Sequence, residues 1–105
     1  MELSITTDAA PERYLITPEG EVDISNASKL REAIDMGLEQ PTEEVRLDLA
    51  GVSYIDSTGI GVLVGAAHHA VEHKKRFCAV NVQPNVLRVA QLLGVDKEID
   101  ITGAQ

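Results

Sequence analysis

Hydrophobic and polar residues alternate in several short segments of the chain, with the period of two that predicts a β-strand with one buried face. The first two segments flank residues 8–11, which include a proline and predict a turn, so we expect these two strands to pair. The segments with this pattern are residues 2–7, 13–18, 45–49, 52–55, 76–82 and 98–101.

Between the later segments, apolar residues recur at spacings of three and four, which predicts amphipathic helices. The first helix follows Ser25 or Asn26, either of which is a suitable N-cap, and it ends before Pro41. The second covers residues 58 to about 74, and the third covers residues 84–93. Strands that alternate with helices in this way predict an α/β fold, in which a mixed, mostly parallel sheet is covered by helices.

Length and composition fit one folded domain over residues 1–105, because 44% of the residues are hydrophobic and 25% are charged. The single cysteine, Cys78, cannot form an internal disulfide, and the first residues lack the basic and apolar parts of a secretory signal. We therefore expect a cytoplasmic protein. No apolar run approaches the roughly 18 residues that cross a bilayer.

The net charge of −8 argues against two classes of partner for this chain. It repels the phosphates of nucleic acid and the anionic headgroups of a membrane surface, so we expect neither as a partner. The chain also has only two tyrosines, one phenylalanine and no tryptophan, too few for a platform on which bases stack.

The most informative segment is DSTG, which stands where the second helix begins. Ser57 is a suitable N-cap, and Asp56 adds negative charge at the positive end of the helix dipole. The same helix then carries three glycines, each of which costs about 1 kcal/mol relative to alanine. We expect the backbone there to approach either the sheet beneath or a partner outside; the glycines are Gly59, Gly61 and Gly65.

Spacing excludes the familiar catalytic and phosphate-binding motifs at this segment. Two hydroxyl residues separate Asp56 from Gly59, unlike the aspartic-protease motif, and Ile55 stands where a serine-hydrolase elbow has glycine. No lysine follows Gly65, as a Walker loop requires, and the dinucleotide pattern of glycines is missed by one residue. The histidines of the second helix lie roughly 16–24 Å from Ser57 at 1.5 Å of rise per residue, too far to act as its base.

The histidines and the cysteine also have simpler explanations than metal binding. His69 and His73 have the spacing of the zinc-binding helix, but the glutamate of that motif is missing and no further ligand is obvious. We expect these histidines to lie on a solvated helix face and Cys78 to be a buried, inert thiol. The sequence predicts no metal site and no cofactor.

The remaining interpretation is a phosphorylation switch. A hydroxyl at an exposed helix N-terminus is accessible to a kinase, and a phosphate there gains from the helix dipole. The phosphate adds about −1.5 to −2 charges beside Asp56, and a charge of that size changes how the surface binds a partner without unfolding the domain.

Three segments resemble the STAS domain family and, within it, the bacterial anti-sigma factor antagonists. The family's segment leading into the first helix is similar to GEVDISNASKLREAI here. Its phosphoacceptor loop and second helix are similar to VRLDLAGVSYIDSTGIGVLVGA. Its third helix and last strand are similar to VQPNVLRVAQLLGVDKEI. Such proteins often carry a further C-terminal helix, whereas this sequence ends in ITGAQ, so we expect that helix to be short or missing.

The resemblance implies a cycle in which the unmodified protein binds an anti-sigma factor that is also a serine kinase, and a sigma factor is released. The kinase phosphorylates Ser57, with Thr58 as the alternative acceptor, and a serine phosphatase reverses the modification. The implied partner-binding surface consists of Asp23, Ser25, Asn26, Asp56, Ser57, Thr58, Gly59 and Gly61.

The resemblance implies that the chain is no enzyme itself and is monomeric when free. A different role for the same fold is that of an adaptor subunit in a transporter assembly, without a phosphorylation switch. A copurifying transporter ATPase would favour that adaptor role. Nucleotide binding by the chain itself is a third hypothesis, which the missing lysine-bearing phosphate loop disfavours.

Overall fold

Six strands and three α-helices alternate along the computed structural model, which describes residues 2–103. The strands are β1 (Ser4–Ala9), β2 (Arg13–Val22), β3 (Glu44–Asp48), β4 (Val52–Ile55), β5 (Arg76–Val82) and β6 (Asp100–Gly103). The helices are α1 (Ala27–Leu38), α2 (Ser57–Glu72) and α3 (Pro84–Leu92), and a 3₁₀-helix at Val95–Lys97 precedes β6. No helix among the described residues is long and apolar enough to cross a membrane.

The strands form one mixed sheet in the order β1-β2-β3-β5-β6, and β4 pairs with β2. The β1–β2 pair is antiparallel and every other pair is parallel, which confirms the predicted α/β fold with a mostly parallel sheet. Strand β2 is long enough to hold two parallel partners in succession: its first half pairs with β3, and its last three residues pair with β4.

The pairing of β2 with β4 brings two loops together. Val22 and Ile55, the last residues of these strands, are register partners, and the amide of Asp56 donates to the carbonyl of Val22 at 3.1 Å. Because parallel strands end at the same edge of a sheet, the β2–α1 and β4–α2 loops leave that edge side by side.

The core explains why the hydrophobic pattern identified these elements. Ile16 and Leu47 are register partners on β2 and β3, and neither is exposed to solvent. Helix α1 buries Leu30 and Ile34 and helix α2 buries Leu63, residues that their spacing places on one face of each helix.

Strand β2 extends four residues beyond the predicted end at Pro18, because its last three residues, from Gly20 to Val22, pair with β4. Gly20 has a φ of +126°, and a Cβ atom there would lie 2.7 Å from the carbonyl oxygen of Glu2. A glycine is therefore required at this position, and the register of β2 with β4 shifts beside it.

The first and last strands are each shifted by two residues from the predicted ranges 2–7 and 98–101. Strand β1 continues to Ala9, so the connection to β2 is a tighter turn closed by hydrogen bonds between Ala10 and Arg13. The last strand begins at Asp100, because the preceding 3₁₀-helix occupies the chain up to Lys97. The predicted short or missing C-terminal helix concerns Ala104 and Gln105, which lie outside the described residues.

Candidate functional site

The two adjacent loops are joined by the carboxylate of Asp56. One oxygen, Oδ1, accepts from the amide of Gly59 at 3.0 Å, which makes Asp56 the N-cap of α2. The other, Oδ2, accepts from the amide of Ile24 in the β2–α1 loop at 3.1 Å. The prediction that Ser57 caps this helix is wrong: both residue types are good caps, but only Asp56 can also reach the neighbouring loop.

Ser57 is instead the first residue of α2, and Thr58 is the second. Both side chains are exposed, and neither hydroxyl forms a hydrogen bond with any residue in the range 2–103. An exposed, uncommitted hydroxyl at a helix N-terminus suits an acceptor that another protein must reach.

The polar side chains of the β2–α1 loop bind one another. Asp23 Oδ1 accepts from the amide of Ser25 at 2.9 Å and from its hydroxyl at 2.5 Å. Asn26 Oδ1 accepts from the amide of Asp23 at 2.9 Å, and Asn26 Nδ2 donates to the carbonyl of Glu21 at 2.9 Å. Asn26 thus occupies the N-cap position of α1 as predicted but does not cap it with its side chain, which bonds backward into the loop.

The hydrogen bonds of this loop also set the charge of Asp23. The side-chain and backbone hydrogen bonds from Ser25 lower the pKa of the Asp23 carboxyl below its ordinary value. Asp23 is therefore ionised at neutral pH, so a carboxylate borders the loop near the exposed start of α2.

Ile24, the residue between Asp23 and Ser25, is not among the residues predicted from the sequence to form the site. Its side chain is 79% exposed, although isoleucine is normally among the most buried residues. A lone apolar residue in a polar loop shows no periodicity, so the only available signal was its place within the segment GEVDIS.

The three glycines of α2 differ in what surrounds them. A Cβ atom on Gly59 would lie 2.5 Å from Ile55 Cγ1 and 2.7 Å from Val22 Cγ1, so this glycine lets α2 pack on the sheet. Gly61 and Gly65 have nothing within 4 Å of the place where a Cβ would stand. The packing of the described chain thus explains Gly59, whereas it gives no reason for the other two.

A groove of about 250 Å³ runs between α1 and α2, and it begins at the exposed hydroxyl residue Thr58. Its apolar lining includes Ile34 and Val62, and the two unconstrained glycines leave it open. The polar residues at its border are Arg31, Asp35 and His69. Thr58, the second residue of α2, is the lining residue that stands closest in sequence to the β4–α2 loop.

The structure offers no arrangement for catalysis at Ser57 within the described chain. His69 Nδ1 lies 3.9 Å from Asp35 Oδ1, and His73 Nδ1 lies 2.8 Å from the carbonyl of His69, so both histidines have partners far along α2. Among residues 2–103, no three His, Cys, Asp or Glu side chains are placed to hold a metal ion. Cys78 is buried in β5 as predicted, and burial raises the pKa of its thiol, which keeps it protonated.

Replacing Asp56 by alanine is expected to lower the free energy of unfolding by about 1–2 kcal/mol, because α2 loses its cap and the β2–α1 loop loses its tie. Asp56→Asn keeps one acceptor oxygen and should lose less. Urea denaturation measures both, with Glu32→Ala as a control that removes one exposed carboxylate of α1. Equal stability of Asp56→Ala and the control would contradict the bridging role.

The chain is similar to several known proteins. An anti-sigma-B factor antagonist of Staphylococcus epidermidis is 30% identical over 95 residues, which cover 90% of this chain and 88% of the relative. An anti-sigma factor antagonist from Mycobacterium paratuberculosis matches with a TM-score of 0.85 at 21% identity, over 96% of this chain and 86% of that one.

A third match concerns a protein whose structure was solved in its phosphorylated form, the Bacillus cell fate determinant SpoIIAA. Its TM-score is 0.71 at 20% identity, over 93% of this chain and 90% of that one. The model of the STAS domain matches residues 4–104, a range that includes every strand and helix described above. With this match and the 30% identical relative, the chain belongs to the STAS domain family.

Proposed function

We propose that the protein is an anti-sigma factor antagonist that is switched off by phosphorylation at Ser57. The observation that carries this proposal is the position of Ser57: exposed, uncommitted, and directly after the carboxylate that joins the two loops. The relatives named as antagonists support the role, and the phosphorylated form of SpoIIAA supports the modification.

In the proposed cycle, the unmodified protein binds an anti-sigma factor that is also a serine kinase, and the sigma factor is released. The kinase then transfers the γ-phosphoryl group of ATP to Ser57 Oγ. The new Oγ–P bond replaces the bond from the γ-phosphorus to ADP, and the serine proton passes to a base of the kinase. A serine phosphatase later hydrolyses the phosphoester and restores the unmodified surface.

The site explains how this modification acts without unfolding the domain. Ser57 is the first residue of α2, so a phosphate on it lies at the positive end of the helix dipole. The same phosphate adds about −1.5 to −2 charges beside the carboxylate of Asp56 and close to the loop of the ionised Asp23. The change is therefore confined to the surface that the partner contacts.

Site mapping by mass spectrometry tests the acceptor. After incubation with a candidate kinase and ATP, we expect the wild-type chain to gain one phosphoryl group, Thr58→Ala to gain it equally, and Ser57→Ala to gain none. The two variants are matched, because each removes one exposed hydroxyl from the first turn of α2. Modification that persists in Ser57→Ala would reject Ser57, and its loss in Thr58→Ala alone would assign Thr58 instead.

A further inference from the structure

The β2–α1 loop presents an apolar side chain to solvent, while its polar side chains bond internally. The carboxylate of Asp23 accepts hydrogen bonds from Ser25, and the side chain of Asn26 is hydrogen-bonded to two backbone groups of the same segment. Both carboxylate oxygens of Asp56 accept hydrogen bonds from backbone amides. These residues therefore hold the loop in shape, and the group that projects from it is the side chain of Ile24, at 79% exposure.

The position of Ile24 differs from that of Val71 and Leu92, the two hydrophobic residues with comparable exposure. Val71 and Leu92 are exposed to 75% and 79%, but they lie near the C-terminal ends of α2 and α3. Ile24 lies at the edge of the sheet where α2 begins, and its amide is held by the residue directly before Ser57. Its backbone is thus fixed relative to the proposed phosphorylation site.

We infer that Ile24 is the hydrophobic anchor with which the protein docks into an apolar pocket of its kinase. This inference rests on the proposed function and names the chemistry of its partner surface. The apolar pocket follows from the exposed side chain, and its place on the kinase follows from the position of Ile24, because the kinase must approach Ser57, and the residue directly before Ser57 holds the amide of Ile24.

The same arrangement connects the anchor to the switch. Asp56 contacts the backbone of Ile24 and is covalently linked to Ser57, so a phosphate on Ser57 lies beside the border of the proposed pocket. Docking of Ile24 would then require a dianion to lose water at the rim of an apolar pocket. Phosphorylation therefore opposes the insertion of Ile24 as well as adding charge to the surface.

Binding of the unphosphorylated chain to its kinase, measured by calorimetry, tests the anchor. We expect Ile24→Ala to raise the Kd by about tenfold to 100-fold, the range that corresponds to burying one large aliphatic side chain. Ile24→Met should bind nearly as well as the wild type, because it retains most of the apolar volume. Leu92→Ala is the matched control, since it truncates an equally exposed residue elsewhere and should leave the Kd unchanged.

A thermal melt of each variant excludes a loss of folding, because an exposed side chain contributes little to stability. Binding of Ile24→Ala within twofold of the wild type, with Ser57 still phosphorylated in the wild-type chain, would overturn the anchor and leave the proposed function standing. A wild-type chain that neither binds nor is modified by any candidate kinase would overturn both.

Discussion

Phosphorylated protein is expected to bind its kinase about 100-fold more weakly than unmodified protein, and Ser57→Asp at least about tenfold more weakly. A change of about 1.4 kcal/mol in binding free energy corresponds to tenfold in affinity, and removing water from a charged group that gains no partner costs at least that much. The phosphate carries nearly two charges and must lose water where the kinase contacts Ser57, so it opposes binding more than the single carboxylate of Ser57→Asp does. Ser57→Ala adds no charge and should keep the wild-type affinity.

The fold itself should tolerate Ser57→Asp, because an acidic residue in the first turn of a helix is favoured by the helix dipole. An unchanged or slightly raised melting temperature would show that weaker binding comes from the surface and not from unfolding. Gln91→Glu is a suitable control, since it adds one negative charge to an exposed position of α3. Equal affinities of Ser57→Asp, Ser57→Ala and the control would contradict the switch.

The second large effect concerns the glycines of α2, which are expected to respond to alanine with opposite signs. Gly59→Ala forces a methyl group against Ile55 and Val22 at 2.5 and 2.7 Å, so we expect a loss of about 1–3 kcal/mol despite the better helix propensity. Gly61→Ala and Gly65→Ala meet open space, so each should raise the free energy of unfolding by up to about 1 kcal/mol.

Chemical denaturation of the three variants measures these changes under one set of conditions. The same series reports on the groove between α1 and α2, since a methyl group at Gly61 or Gly65 begins to fill it. Stabilised variants that bind the kinase less well would indicate that a partner uses the groove. A gain in stability at Gly59, or a loss at both other positions, would contradict the packing of α2 on the sheet.

The sequence predicted the elements well where burial is one-sided and regular. Helix α1 buries Leu30 and Ile34 at the expected spacing, and β3 alternates buried and partly exposed residues as a half-covered strand must. Since the period of the pattern follows from the geometry of helix and strand, such elements can be identified without knowing their neighbours.

Features that depend on contacts distant in sequence were not predicted. The choice between Asp56 and Ser57 as N-cap depends on the amide of Ile24, which lies 32 residues earlier in the chain. The extension of β2 past Pro18 depends on the strand β4 that pairs with its end. The local propensity of a segment cannot predict either contact, because each contact forms only in the folded chain.

The candidate site was predicted as a set of polar residues, and the structure changes what several of them do. Asp23, Ser25 and Asn26 lie together with Asp56, as the resemblance implied, but they bind one another and the backbone. Gly59 is buried on the side of α2 that faces the sheet and supports the surface from beneath. Their part in binding a partner stays a prediction, and Ile24 is the residue that the spacing of motifs did not reveal.

The bridging carboxylate of Asp56 has a consequence for the energetics of association. A surface built from mobile loops loses conformational entropy when it binds, typically about 0.5–1.5 kcal/mol for each side chain that becomes ordered. Here the two loops are already tied to each other and to α2 in the free protein. The backbone of these loops therefore has little left to order, so we expect a partner to meet a preorganised surface on which only exposed side chains become fixed.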